Sequence, residues 1–118
     1  MINGDGENSR DFCYIANVVQ ANLLAAMTAN PEAVGQVYNV AAGRRTTLNE
    51  LFFKIRRQVA LVHPAAAHME PSHQPEQVGD VRHSLADIGF VQARLGYAPT
   101  HDVDQGLVQT AAWYLRTS

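Results

Sequence analysis

One cysteine and one lysine stand in 118 residues. A lone Cys13 excludes an intramolecular disulfide and fits a reducing cytoplasm, which is the expected location. No apolar run approaches the roughly 20 residues that a membrane helix needs, so no membrane partner is expected. The first residues carry no positive segment leading into an apolar one, and no signal peptide is expected. A net charge of −2 leaves no electrostatic footprint for nucleic acid. Arg44-Arg45 and Arg56-Arg57 read as short solvated pairs rather than a basic stripe. His63, His68 and His73 share no helical face, and no metal site is expected of them. No serine, histidine and acid form a hydrolase motif, so no catalytic residue is assigned on that ground. What is left is 47% apolar and 17% charged, the composition of a globular domain long enough for a modest core.

The most informative stretch comes first. Gly4-Asp5-Gly6 is a glycine-bracketed turn, and Arg10 follows four residues later between a hydroxyl and a carboxylate. Glycines allow positive φ and close approach of backbone to a ligand. An arginine offers a planar, permanently charged fork suited to phosphate oxygens. The same residues also fit a plain hairpin turn with a surface arginine.

Strand and helix periods then alternate. Asp11 to Ile15 reads as a short strand, and Asn17 as the N-cap of a helix running to Thr28. That helix has Ile15, Val18, Val19, Asn22, Leu23, Ala26 and Met27 on one stripe, Asn22 reading as a satisfied buried amide. Asn30-Pro31 stops it. Residues 36–41 read as a second strand ended by Gly43. Thr47-Leu48-Asn49-Glu50 is a capping box opening a helix that is expected to bury Leu48, Leu51, Phe52, Ile55 and Val59 before His63-Pro64. Residues 64–83 form a long proline- and histidine-bearing stretch, with a short strand expected near His68-Met69-Glu70. Asp87 is expected to cap a short helix ending at Gly96 in the left-handed C-terminal position. Asp102-Val103-Asp104-Gln105 resembles another capping box. Its helix carries Val103, Leu107, Thr110, Ala111 and Tyr114 on one face, with Trp113 beside it as core or interface.

Four landmarks in order carry a resemblance. They are Ile2-x-Gly4-Asp5-Gly6-x-x-Ser9-Arg10-Asp11-Phe12, Val37-Tyr38-Asn39-Val40-Ala41-x-Gly43, Gly79-Asp80-Val81-Arg82-His83-Ser84-Leu85-Ala86-Asp87-Ile88 and Leu95-Gly96-Tyr97-x-Pro99. Together they resemble the C-terminal substrate-binding part of NAD-dependent nucleotide-sugar epimerases/dehydratases, the extended short-chain dehydrogenase/reductases. The fuller wording, with Asn17-Val18-Val19-Gln20-Ala21-Asn22 and Thr46-Thr47-Leu48-Asn49-Glu50-Leu51, is most similar to the UDP-N-acetylglucosamine 4-epimerase branch. The resemblance implies an α/β fold, a small substrate-binding domain of short strands and about four helices. Residues 1–118 would form that single domain, a fragment of a longer chain.

The cofactor half is what the resemblance lacks. No glycine-rich fingerprint for a dinucleotide can be drawn through the eight glycines. The family's tyrosine–lysine pair is missing too: the residues four beyond the tyrosines are Val18, Ala42, His101 and Ser118. No NAD is expected on this chain alone, although the full-length family uses it, and the chain alone is expected to be inactive. By resemblance Arg10 binds the nucleotide diphosphate. Gln77 replaces a second arginine two positions before Gly79-Asp80, and Asp80 matches an acidic residue near the ribose. Asp80 also fits a turn carboxylate, and Arg82 an ion-pairing surface residue. The expected ligand is a weakly bound UDP-sugar. The expected partner is a second copy or the missing Rossmann half. Two functional readings follow: part of a UDP-hexosamine 4-epimerase, or a non-catalytic remnant that binds a nucleotide or a protein.

Overall fold

The computed structural model describes residues 1–117, and its architecture is a small α/β arrangement of four helices and short strands. In chain order these are β1 (Ile2–Asn3), β2 (Ser9–Arg10), α1 (Ile15–Met27), β3 (Thr46–Thr47), α2 (Leu48–Ala60), β4 (His73–Gln74), α3 (Gly89–Leu95) and α4 (Val103–Thr117). A 3-10 turn over Pro64–His68 follows α2 and packs on it. β1 pairs in parallel with β4, Ile2 opposite His73, and β2 pairs antiparallel with β3, Ser9 opposite Thr47.

Local chemistry accounts for the helix starts. Thr47 Oγ1 accepts from the Glu50 amide at 3.1 Å while the Glu50 carboxylate accepts from the Thr47 amide at 3.3 Å. Asp102 and Gln105 exchange the same two bonds at 2.8 and 2.9 Å at the head of α4. Each box satisfies amides that would otherwise have no partner. Gly96 closes α3 with φ 69°. α3 itself begins at Gly89 with Ile88 in the cap position, and Asp87 accepts from the Gly89 amide instead of capping the helix directly.

Several expectations are corrected. Residues 11–14 join no ladder, and Ile15 already belongs to α1. Residues 36–41 are irregular, with Val37 90% exposed, because no described strand lies alongside to take their amides. His68 sits in the 3-10 turn, and the nearby strand is His73–Gln74. Asn17 does not cap α1. It lies inside the helix, fully buried, and its side chain bonds outward to a distant segment. Asn22 is exposed and only returns to the Val18 carbonyl. Ile55, Trp113 and Tyr114 are also exposed, so α2 and α4 bury narrower faces than their periodicity suggests.

The core is small. Ala21, Ala33, Val91, Leu95 and Tyr97 form it, with Leu24, Tyr38, Val40 and Ile88 against it. It lies between α1, α3 and the 33–41 segment. The Tyr97 hydroxyl donates to the Ala41 carbonyl at 2.7 Å, and burial pushes its pKa up to about 12. Burial likewise raises the Cys13 thiol, as suits a structural rather than a reactive cysteine. Elsewhere close approach replaces bulk: a Cβ on Gly106 would lie 2.8 Å from Tyr14 Cβ, so α4 seats on Tyr14 through a bare backbone. The molecule is a plate of 53 × 36 × 18 Å with a radius of gyration of 17.1 Å. A compact chain of this length would have about 13 to 14 Å.

Asn17 ties the plate together. Its amide donates to the His101 carbonyl at 2.8 Å, while its oxygen accepts from the Thr100 amide at 2.9 Å and the His101 amide at 3.2 Å. Truncation would orphan buried groups on both sides. Asn17→Ala should therefore cost about 2 kcal/mol or more, whereas Asn22→Ala should change stability by less than about 0.5 kcal/mol. Urea denaturation of the two variants checks the contrast.

Candidate functional site

Two of the sequence-predicted residues meet. Arg10 ends β2, and its guanidinium donates to Asp80 Oδ1 at 2.5 Å and to the Ser9 carbonyl at 2.7 Å. The residues it joins lie 70 positions apart. The third, Gln77, sits at the other end of the turn that presents Asp80: the Asp80 amide donates to the Gln77 carbonyl at 3.2 Å. Its side chain is exposed and reaches no polar partner among the described residues. Asp80 is therefore more than a turn carboxylate, since it is the counter-ion of Arg10.

Asn8 was not found from the sequence, and it organises the site. It is 1% exposed. Its amide donates to Asp80 Oδ2 at 3.0 Å, and its oxygen accepts from Arg82 at 3.1 Å. Arg82 in turn grips both oxygens of Asp5 at 2.9 Å, as its reading as an ion-pairing residue required. The result is one chain of contacts, Asp5–Arg82–Asn8–Asp80–Arg10, that spans the glycine turn and the 77–82 turn. An asparagine between two charged groups gives no local sequence signal, because its amide and carbonyl serve segments far away in the chain.

The flanks are fixed in the same way. Ser9 Oγ lies 2.7 Å from His83 Nδ1, and the Ser84 amide donates to the Ser9 carbonyl. Asp11 accepts from the amides of Ala42 and Gly43 at 3.0 and 2.8 Å, tying the end of the 36–43 segment to the residue after Arg10. The glycine turn has positive φ at Gly4 and Gly6, as expected. At Gly6 a side chain would be strained by the φ of 80° and its Cβ would overlap the side-chain amide of Asn49, which donates to the Asp5 carbonyl and to Glu7.

Chemically, a guanidinium has five N–H donors. Two of those of Arg10 are engaged by Asp80 and Ser9. The rest are available to an anion, and the arginine is held in one orientation. Arg82 has more of its donors committed, giving two bonds to Asp5 and one to Asn8.

Asp5 gives the pH dependence of this arrangement. The Arg82 guanidinium holds its carboxyl at about 2, well below the usual range. A depressed carboxylate pKa stabilises the fold above the unfolded value near 4, and that contribution is lost as pH falls from there towards 2. Stability should thus fall with acid between about pH 4 and 2. Asp5→Asn should remove that part of the slope while lowering stability at pH 7. Urea midpoints measured across this range check it.

The model of the NAD dependent epimerase/dehydratase family matches residues 1–41. A UDP-glucose 4-epimerase of Mycolicibacterium smegmatis is 30% identical over 115 residues, 98% of this chain and 34% of that protein. Among solved structures, a UDP-glucose 4-epimerase of Thermotoga maritima with UDP-glucose is 34% identical, with a TM-score of 0.80 over 98% of this chain and 34% of that one. A UDP-N-acetylglucosamine 4-epimerase of Methanobrevibacter ruminantium, in complex with UDP-N-acetylmuramic acid, is 32% identical. Its TM-score is 0.83, over 99% of this chain and 34% of that one. The chain spans about a third of the length of the curated relatives it matches. The resemblance read from the sequence therefore holds over nearly the whole chain: it is similar in sequence and in fold to one part of these NAD-dependent nucleotide-sugar epimerases.

Proposed function

We propose that this chain is the nucleotide-sugar-binding part of a UDP-sugar 4-epimerase-like protein, and that residues 1–118 form one substrate-binding domain of it. The observation that carries the reading is Arg10, oriented by Asp80 and the Ser9 carbonyl with donors to spare for a diphosphate. Within the UDP-sugars, a UDP-N-acetylhexosamine is the substrate class favoured by the wording of residues 17–22 and 46–51. NAD and the tyrosine–lysine chemistry would belong to a partner half, for this sequence contains neither the glycine fingerprint nor the pair. The role of Arg10 is to neutralise and orient the diphosphate. Gln77 adds at most a neutral hydrogen bond where a second guanidinium would add charge. Asp80 keeps Arg10 in place and offers a carboxylate oxygen to a ribose hydroxyl.

The shape supports the same reading. Along α1, Ile15, Val19, Leu23 and Met27 repeat every four residues and are 64%, 48%, 55% and 73% exposed. Such a stripe on a thin plate suits a body that packs against a larger one. On its own, the chain should self-associate through this stripe. Light scattering that finds only monomer at high concentration would count against it.

The ligand test is a titration with UDP followed by amide chemical shifts. With one charged contact to the diphosphate, binding should be no tighter than roughly millimolar, about 4 kcal/mol. Shifts should gather at residues 4–12 and 77–82. Arg10→Ala should abolish them, and Gln77→Arg should strengthen binding by about a factor of ten, the worth of added charge-assisted bonds. Binding indifferent to Arg10→Ala would mean that these motifs serve only the fold.

A further inference from the structure

A second cationic feature lies outside the Arg10 network. Asp11 pins the amides of Ala42 and Gly43, and Gly43 turns with φ 79° just before Arg44 and Arg45, both of which are exposed. Both arginines line a cavity of about 510 Å³, walled also by Phe12, Lys54, Pro99 and His101. That volume is in the range of small-molecule sites, about 300 to 1,000 Å³. None of Arg10, Gln77 and Asp80 reaches it.

The charges around this cavity are unevenly committed. Three carboxylates face it, and each already has a partner. Glu50 and Asp102 accept from backbone amides in their capping boxes, and Asp104 grips Lys54 through both oxygens at 2.8 and 2.9 Å. Arg10, Arg56, Arg82 and Arg94 all have carboxylate partners. Arg44 and Arg45 have neither an ion pair nor a hydrogen bond among the described residues. Two consecutive arginines without an ion pair among the described residues, both lining one concave site, favour an anion that presents several oxygens at once. The phenyl ring of Phe12 and the ring of Pro99 add an apolar wall.

We propose that this cavity is a second anion site, distinct from the one at Arg10, which takes a small phosphate-bearing molecule. Arg44 and Arg45 bind its phosphate oxygens, while Phe12 and Pro99 pack against the remainder.

Inorganic pyrophosphate is the probe, followed by amide chemical shifts of the 118-residue chain. Two groups of shifts are expected, one at residues 42–46 and 101–105 and one at residues 9–10 and 77–82. The double variant Arg44→Gln/Arg45→Gln should weaken the first group's affinity by at least about tenfold and leave the second in place. Arg10→Ala should do the reverse. Arg44→Lys/Arg45→Lys keeps the charge and should retain most of the first response, and circular dichroism checks that every variant is folded. If the glutamine variant loses its helical signal, retention of the response by the lysine variant supports the site and its loss overturns it. No response at residues 42–46, a response that survives the glutamine variant, or loss of both groups with Arg10→Ala would overturn the proposal. Absence of the second group alone in the unmodified chain would count against the role proposed for Arg10 and leave this site standing.

Discussion

The buried amide of Asn8 is the point on which the candidate site depends. It touches a carboxylate on one side and a guanidinium on the other, and each of these is paired again with an opposite charge. A neutral side chain can be buried at far lower cost than either ion, yet it satisfies both. Remove it, and Asp80 and Arg82 lose the contact that keeps their turn over the start of the chain. Local pairing adds little of that order, because β2 and β3 are only two residues each. The site is therefore built mainly from side-chain bonds between distant segments, with strands too short to impose a register by themselves.

That choice matches how little apolar material is enclosed. Of the fully buried hydrophobic residues, four are alanines, and only Val91, Leu95 and Tyr97 are larger. Meanwhile long apolar side chains on α1 and on the 34–37 segment stand in solvent. A plate 18 Å thick has room for two layers of backbone and side chain but no deep interior. Polar anchors such as Asn17, Asp11 and Asn8 do the positioning that a larger core would do elsewhere, since a buried polar group with all its bonds made is directional where hydrophobic contact is not.

What was legible in the sequence was what is local. The two capping boxes, the left-handed glycine after α3 and the glycine turn each depend on residues within four positions, and each formed as expected. Arg82 as an ion-pairing residue was also legible. Strands were not, since a strand needs a neighbour and the pattern at residues 36–41 cannot reveal that none lies beside it. Asn17 was misread for a related reason: cap preference is a local statistic, whereas its bonds to residues 100 and 101 are set by the fold. Ile55 and Tyr114 obey helical period but face outward, because periodicity says which residues share a face and not whether anything covers it. At the site, Arg10 and Asp80 were legible as residues and not as a pair. The bond between them closes a gap of 70 positions, beyond the reach of any spacing rule.

The distribution of the core has a consequence for motion. Its buried side chains gather where α1 meets α3 and Tyr97, whereas no residue of α2 is fully buried. Local opening should then divide the molecule unequally. Amides around Asn17, Ala21 and Val91 are expected to open only when the chain as a whole unfolds, and those of α2 and of the tail of α4 in smaller fluctuations that leave the rest standing. The Arg10 network sits between these regimes, tied to the α2 side through β3 and yet closed by its own ion pairs. Hydrogen exchange should thus separate a more stable part from a more labile one, with Arg10 and its ion-pair partners at their seam.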